Sequence, residues 1–174
     1  MNLVLNLGGA GNLDKSMESL LSKANSILVQ IVKYEWNTTW KSFIPDICSA
    51  SKSDLNLCQN NLSILKMLSE EIFDFSKNQL TMHQIAELKQ HMHEEFTKVF
   101  ELCDEILRNA DKVSAALSRS CLETLYSFLG WIPLFYIFFS DIIERIVQFI
   151  SSDAHREPAL RCLVEIVSLK IADN

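Results

Sequence analysis

The chain has 174 residues, 48% hydrophobic and 22% charged, with a formal net charge of −6. This suits a globular chain with a sizeable core, and the acidic excess argues against nucleic-acid binding, which needs a basic face. Four glycines and three prolines leave few breakpoints, favouring long helices over many short strands.

Residues 1–13 read as a Gly- and Asn-rich leader, expected to be flexible. Its opening, MNLVLNLGGAG, lacks the basic start of a secretory signal. The stretch Gly9-Ala-Gly-Asn-Leu-Asp14-Lys15-Ser16 resembles a phosphate-binding loop, but Asp14 stands where that loop needs glycine. A carboxylate there would repel the phosphates that backbone N–H groups must reach.

From Asp14 a helical period begins: Met17, Leu20, Leu21, Ala24, Ile27, Leu28 and Ile31 follow the spacing of one buried face. It ends at Tyr34-Glu35-Trp36. Asn37 and Thr38 are good N-cap residues and predict a short second helix through Trp40, Phe43, Ile44 and Ile47, bent by Pro45. Trp36 and Trp40 then flank a hairpin turn and are expected to close its end as packing residues. Ser53 or Asp54 opens a third helix to about Phe73. Thr81 caps a long fourth with Ile85, Leu88, Met92, Phe96, Val99, Phe100, Cys103 and Leu107 on its apolar side. Glu94–Lys98 and Asp104–Arg108 are spaced as ion pairs on its polar side.

A fifth helix spans about Ser114 to Leu129. Gly130-Trp131-Ile132-Pro133 follows as a second tryptophan-bearing turn, with Trp131 and Pro133 in structural roles. Ser140-Asp141 caps a sixth helix. Pro158 starts a seventh, with Leu160, Leu163, Val164, Val167 and Ile171. No window alternates with a period of two, so the chain reads as all-α. Four helices share a small residue followed four positions on by a large aliphatic: Ala24/Leu28, Cys58/Leu62, Cys121/Leu125 and Cys162/Ile166. Stacked helical hairpins, an α-solenoid of HEAT-like repeats, produce such a recurrence, because a neighbour approaches at each small residue.

The chemistry-bearing residues form no catalytic set. His91 and His93 are two apart and diverge on a helix, while a zinc-protease helix needs histidines four apart. His83 and the adjacent Glu70-Glu71 read as solvated, and no serine lies in a nucleophile elbow. The five cysteines are odd in number and form no CxxC pair, so they read as reduced, buried core residues. No enzyme activity, metal or cofactor is expected. The run Phe128–Phe139 is too short to span a bilayer and contains Pro133. Its part from Leu134 to Phe139 could meet a partner or a membrane, or cover a neighbouring repeat.

The blocks ILVQIVKYEW and TWKSFIPDI (Ile27–Ile47), NLCQNNLSILKMLSEEIFDFS (Asn56–Ser76), LETLYSFLGWIPLFYIF (Leu122–Phe138) and CLVEI (Cys162–Ile166) resemble a known family. It is the importin-β-like karyopherin family, in its exportin branch for leucine-rich export signals, the major nuclear export receptor. The family usually has proline at Asn37, asparagine at Gly130 and a small residue at Phe135. The resemblance implies that residues 14–174 are an exportin-type HEAT-repeat segment of about three and a half hairpins from the receptor's N-terminal half. It also implies the partners: Ran in its GTP form, export-signal cargo held by repeats outside this segment, and nucleoporins, with shuttling between nucleus and cytoplasm. It implies neither direct nucleic-acid binding nor membrane insertion. In that family the second helix of each hairpin lines the partner-facing side, which would put Lys41, Asp46, Lys89, Glu94 and Lys98 toward partners. The competing reading is a generic helical-repeat scaffold for protein–protein interaction, which would lack Ran-GTP binding.

Overall fold

The computed structural model describes residues 15–73 and 81–169, and their regular structure is helical throughout. The helices are α1 (Lys15–Glu35), α2 (Phe43–Ser53), α3 (Leu55–Phe73), α4 (Met82–Arg108), α5 (Ala115–Leu129), α6 (Leu134–Phe138), α7 (Ile142–Gln148) and α8 (Arg156–Ser168), with a 3-10 turn at Phe149–Ser151. Packing divides the chain into two compact units, Met1–Leu102 and Cys103–Asn174. Both are built from paired helices of the HEAT-like α-solenoid kind. The leader, with most of the phosphate-loop-like stretch, and Ile171 lie outside the described residues.

In the first unit α3 packs against both α1 and α2. The turn after α1 closes on one carbonyl: the N–H groups of Thr38, Thr39 and Trp40 donate to Glu35 O at 3.1, 2.8 and 2.9 Å. Asn37 and Thr38 therefore belong to the turn and cap nothing. The second helix starts later, at Phe43, with Ser42 in the cap position. That shift puts Pro45 in the first helical turn, where its missing N–H has no intrahelical partner to lose, so no bend is required. Asp54 alone links α2 to α3, and its Oδ1 accepts from Asn56 N at 2.8 Å.

Other predicted starts hold. Thr81 and Gln84 form a reciprocal capping box: Gln84 Oε1 accepts from Thr81 N at 3.0 Å, and Thr81 Oγ1 accepts from Gln84 N at 3.3 Å. Ser114 Oγ accepts from Leu117 N at 3.1 Å to start α5. The eight residues assigned to the apolar side of α4 are all buried except Phe100, which is half-buried.

The core face of α1 differs from the expected one. Of the expected face Leu20, Ile27 and Ile31 are exposed and only Leu28 is buried, and the buried side is completed by Asn25, Val29, Val32 and Lys33. The helix carries two apolar stripes, and the buried one includes polar residues that hydropathy counts against it. Asn25 Nδ2 donates to Asn60 Oδ1 of α3 at 2.7 Å, and Lys33 Nζ lies 2.9 Å from Glu71 Oε2. Glu71 is thus the anchor of a buried ammonium, contrary to its expected place on a solvated edge.

The second unit shows the same rotation. In α8 the expected Leu160, Val164 and Val167 are exposed, and Pro158, Ala159, Cys162 and Ile166 are buried. The small face of α8 packs on α5, and Cys162 Sγ comes within 3.3 Å of Leu122 O. Only a small side chain allows that approach. Arg119 of α5 adds two links, donating to Ala154 O at 2.9 Å and to Glu157 at 2.7 Å.

Trp36 is fully buried with its ring edge-on to His91, whereas Trp40 is half-buried against Phe43. Trp36→Ala should therefore cost about 3–5 kcal/mol in chemical denaturation, and Trp40→Ala clearly less. Equal losses would contradict this division of labour. For the buried pair, Glu71→Ala should destabilise by about 3 kcal/mol by stranding Lys33, and adding Lys33→Met should restore most of it. A double variant no more stable than Glu71→Ala would count against an unpaired charge as the cause.

Candidate partner-binding surface

The residues expected to face partners all lie in the first unit, and the fold does not gather them at one point. Lys41 and Asp46 are exposed around the start of α2. Asp46 has local work there: its Oδ2 accepts from Ser42 Oγ at 2.7 Å and from Trp40 Nε1 at 3.4 Å. A carboxylate in the first turn also complements the partial positive charge of the helix N-terminus.

On α4, Glu94 and Lys98 are exposed and Lys89 is half-buried. Lys89 and Glu94 stand five positions apart, so the two diverge at 3.6 residues per turn. The expected Glu94–Lys98 pair does not form as drawn. Gln90 Nε2 donates to Glu94 at 2.7 Å, and Lys98 lies 3.9 Å from Glu101. Asp104 and Arg108 do pair, at 2.6 Å, and Asp104 also meets Arg145 at 3.0 Å.

Glu94 lines a polar pocket of about 490 Å³ with Asn37, His83, Ala86, Glu87, Gln90 and His91. The pocket sits where the α1–α2 turn meets α4, so the tryptophan turn shapes one wall through Asn37. His83 Nδ1 lies 3.5 Å from Glu87, and His91 is engaged by Trp36. Among the described residues no group of three or more His, Cys, Asp or Glu is placed to hold a metal ion. No described helix is long and apolar enough to cross a membrane.

The second unit offers a feature that the sequence reading did not assemble. A groove of about 560 Å³ has Tyr126, Leu160 and Val164 in its lining and is rimmed by Asp153, Arg156, Glu157, Arg161 and Glu165. The Arg161 guanidinium stands 4.3 Å over the Tyr126 ring. Glu157 accepts from Arg119 at 2.7 Å and from Arg161 at 3.5 Å. The Glu157/Arg161 and Arg119/Glu123 spacings of four were visible signals, but their meeting across two helices was not.

All five cysteines are buried thiols, none of them in a disulfide. Burial pushes the Cys162 thiol up to about 12, far from the thiolate that reacts or binds metal. A disulfide-exchange reagent at pH 8 should label the native chain slowly, with all five thiols reacting once denaturant is added. Rapid native labelling of Cys162 would contradict its burial.

These helices are those of a known family. The family model described as Exportin 1-like protein matches residues 18–163. Exportin-1 of Drosophila melanogaster is 47% identical over 154 residues, covering 88% of this chain and 14% of that relative. Protein EXPORTIN 1B of Arabidopsis thaliana is 46% identical over 153 residues, with the same two coverages, 88% and 14%. Exportin-1 of Schizosaccharomyces pombe is 45% identical over 156 residues, covering 89% and 14%. The chain thus spans about one-seventh of the length of these relatives. On a family match that takes in both units of the fold, the chain belongs to the Exportin 1-like family.

Proposed function

We propose that this chain is a non-enzymatic segment of a nuclear export receptor, which carries leucine-rich-signal cargo out of the nucleus together with Ran-GTP. The observation that carries the reading is the family match over residues 18–163, at 45–47% identity to exportins of fly, plant and yeast. The mechanism is linkage: cargo and GTP-loaded Ran each favour a receptor state that the other also favours, and GTP hydrolysis releases both. Such a protein shuttles through nuclear pores and meets nucleoporins on the way. Lys41, Asp46, Lys89, Glu94 and Lys98 are the proposed partner-facing residues of this segment. Asp46 would do so while holding its turn, and Glu94 from the pocket beside Asn37. Residues 14–174 would supply about three and a half hairpins to the receptor.

A ligand shifts only an equilibrium whose states it binds unequally, so coupling needs both sites on one molecule. A fraction of a multi-site contact also leaves the entropy of association largely uncompensated. Fluorescence anisotropy with a labelled export-signal peptide, with and without Ran-GTP, separates the cases. The chain alone should show no signal-specific binding. A full-length receptor containing it should bind the peptide more tightly with Ran-GTP than with Ran-GDP. Micromolar or tighter, signal-specific binding by the chain alone would place the cargo site here, and loss of the nucleotide dependence in the full-length receptor would overturn the export reading.

A further inference from the structure

The second unit exposes an aromatic face with no role in its core. In α6 only Ile137 is buried, while Phe135, Phe138 and Phe139 are 63%, 49% and 79% exposed. Phe135 and Phe139 stack on each other, with centroids 5.2 Å apart and planes 17° from parallel. The spacing of four on one helical turn makes the two rings a continuous apolar step.

The exposed charged residues that follow this step in the chain are acidic. Between Gly130 and Ser152 the ionisable residues of formal charge are Asp141, Glu144 and Arg145. Asp141 and Glu144 are exposed, and Arg145 is held by Asp104 at 3.0 Å with its side chain only 16% exposed. An incoming cation therefore meets two exposed carboxylates and the negative faces of aromatic rings, while the one guanidinium of this stretch is largely buried toward Asp104, which it shares with Arg108. The same carboxylates would repel an anionic membrane surface.

We propose that the Phe135–Phe139 step, with Asp141 and Glu144, binds an arginine-bearing peptide segment of a partner protein. A planar guanidinium stacks on an exposed ring while keeping its edge N–H groups for a carboxylate, which a lysine ammonium cannot do. Apolar side chains beside the arginine cover the remaining aromatic area. The inference stands on the geometry of the second unit and does not depend on the export reading.

The test uses the whole chain and a fluorescein-labelled peptide of alternating arginine and leucine, with lysine-for-arginine and glutamate-for-arginine versions. The arginine peptide should bind tightest and the glutamate peptide not at all. Phe135→Ser with Phe139→Ser should weaken binding about tenfold, with the melting temperature unchanged because both rings are exposed. Asp141→Asn with Glu144→Gln should reduce both the salt dependence of binding and the preference for the arginine peptide over the glutamate peptide. Equal binding of arginine and glutamate peptides, or an unaltered affinity in the double serine variant, would overturn the proposal. So would concentration-dependent self-association that the serine variant abolishes without any peptide binding, since the face would then be a contact between copies.

Discussion

The first unit depends on the buried polar contacts made by α3. Asn60 meets Asn25 of α1 at 2.7 Å, Asn61 donates to Ser51 of α2 at 3.0 Å, and Glu71 reaches Lys33 of α1 at 2.9 Å. Apolar packing alone tolerates a helix that slides or rotates, because the hydrophobic effect has no direction. These contacts do not. A slip of one turn, about 5.4 Å, would strand buried polar groups at about 1–3 kcal/mol for each. The position of α1 in turn sets where Trp36 enters the core, and so where Asn37 stands beside α4.

The second unit reaches a similar result by other means. Its α5–α8 contact is set by small side chains, with Cys162 Sγ 3.3 Å from Leu122 O, and α5 approaches α4 in the same way, with Cys121 Sγ 3.5 Å from Cys103 O. Close backbone approach takes the place of a polar lock, and Arg119 fixes the ends by donating to both the chain before α8 and Glu157 in its first turn. The outer stripe of α8 and that of α1 are left as second apolar faces. A helix apolar on two sides is one that neighbours can flank on two sides, as repeat architectures require.

Much of this was legible in the chain itself. The cap at Thr81, the start of α5 near Ser114, the apolar side of α4 and the recurring cysteines at Cys58, Cys121 and Cys162 rest on local chemistry, and the fold kept them, whereas Ala24 is only half-buried. The burial of Cys58, Cys121 and Cys162 follows from that recurrence. The core faces of α1 and α8 were not legible, because both helices have two apolar stripes and periodicity cannot say which one meets a neighbour. Lys33 lies in an apolar run, VQIVKYEW, and a lone lysine there signals a buried partner, but only the fold shows that it is Glu71. The partner-facing residues on α4 were chosen by helix and not by angle, so Lys89 was grouped with Glu94 although the helical period separates them.

The tryptophans have a spectroscopic consequence. Trp36 and Trp40 belong to the first unit and Trp131 to the second, where it packs at 5.1 Å from Phe128. Indole emission shifts to longer wavelength as a ring passes from a dry interior to water. Each unit therefore carries its own optical reporter. A chain keeping Trp131 alone reports the loosening of the second unit, and one keeping Trp36 alone reports the first. Whether the two units melt together or in sequence is written in the native tryptophans, with no label attached.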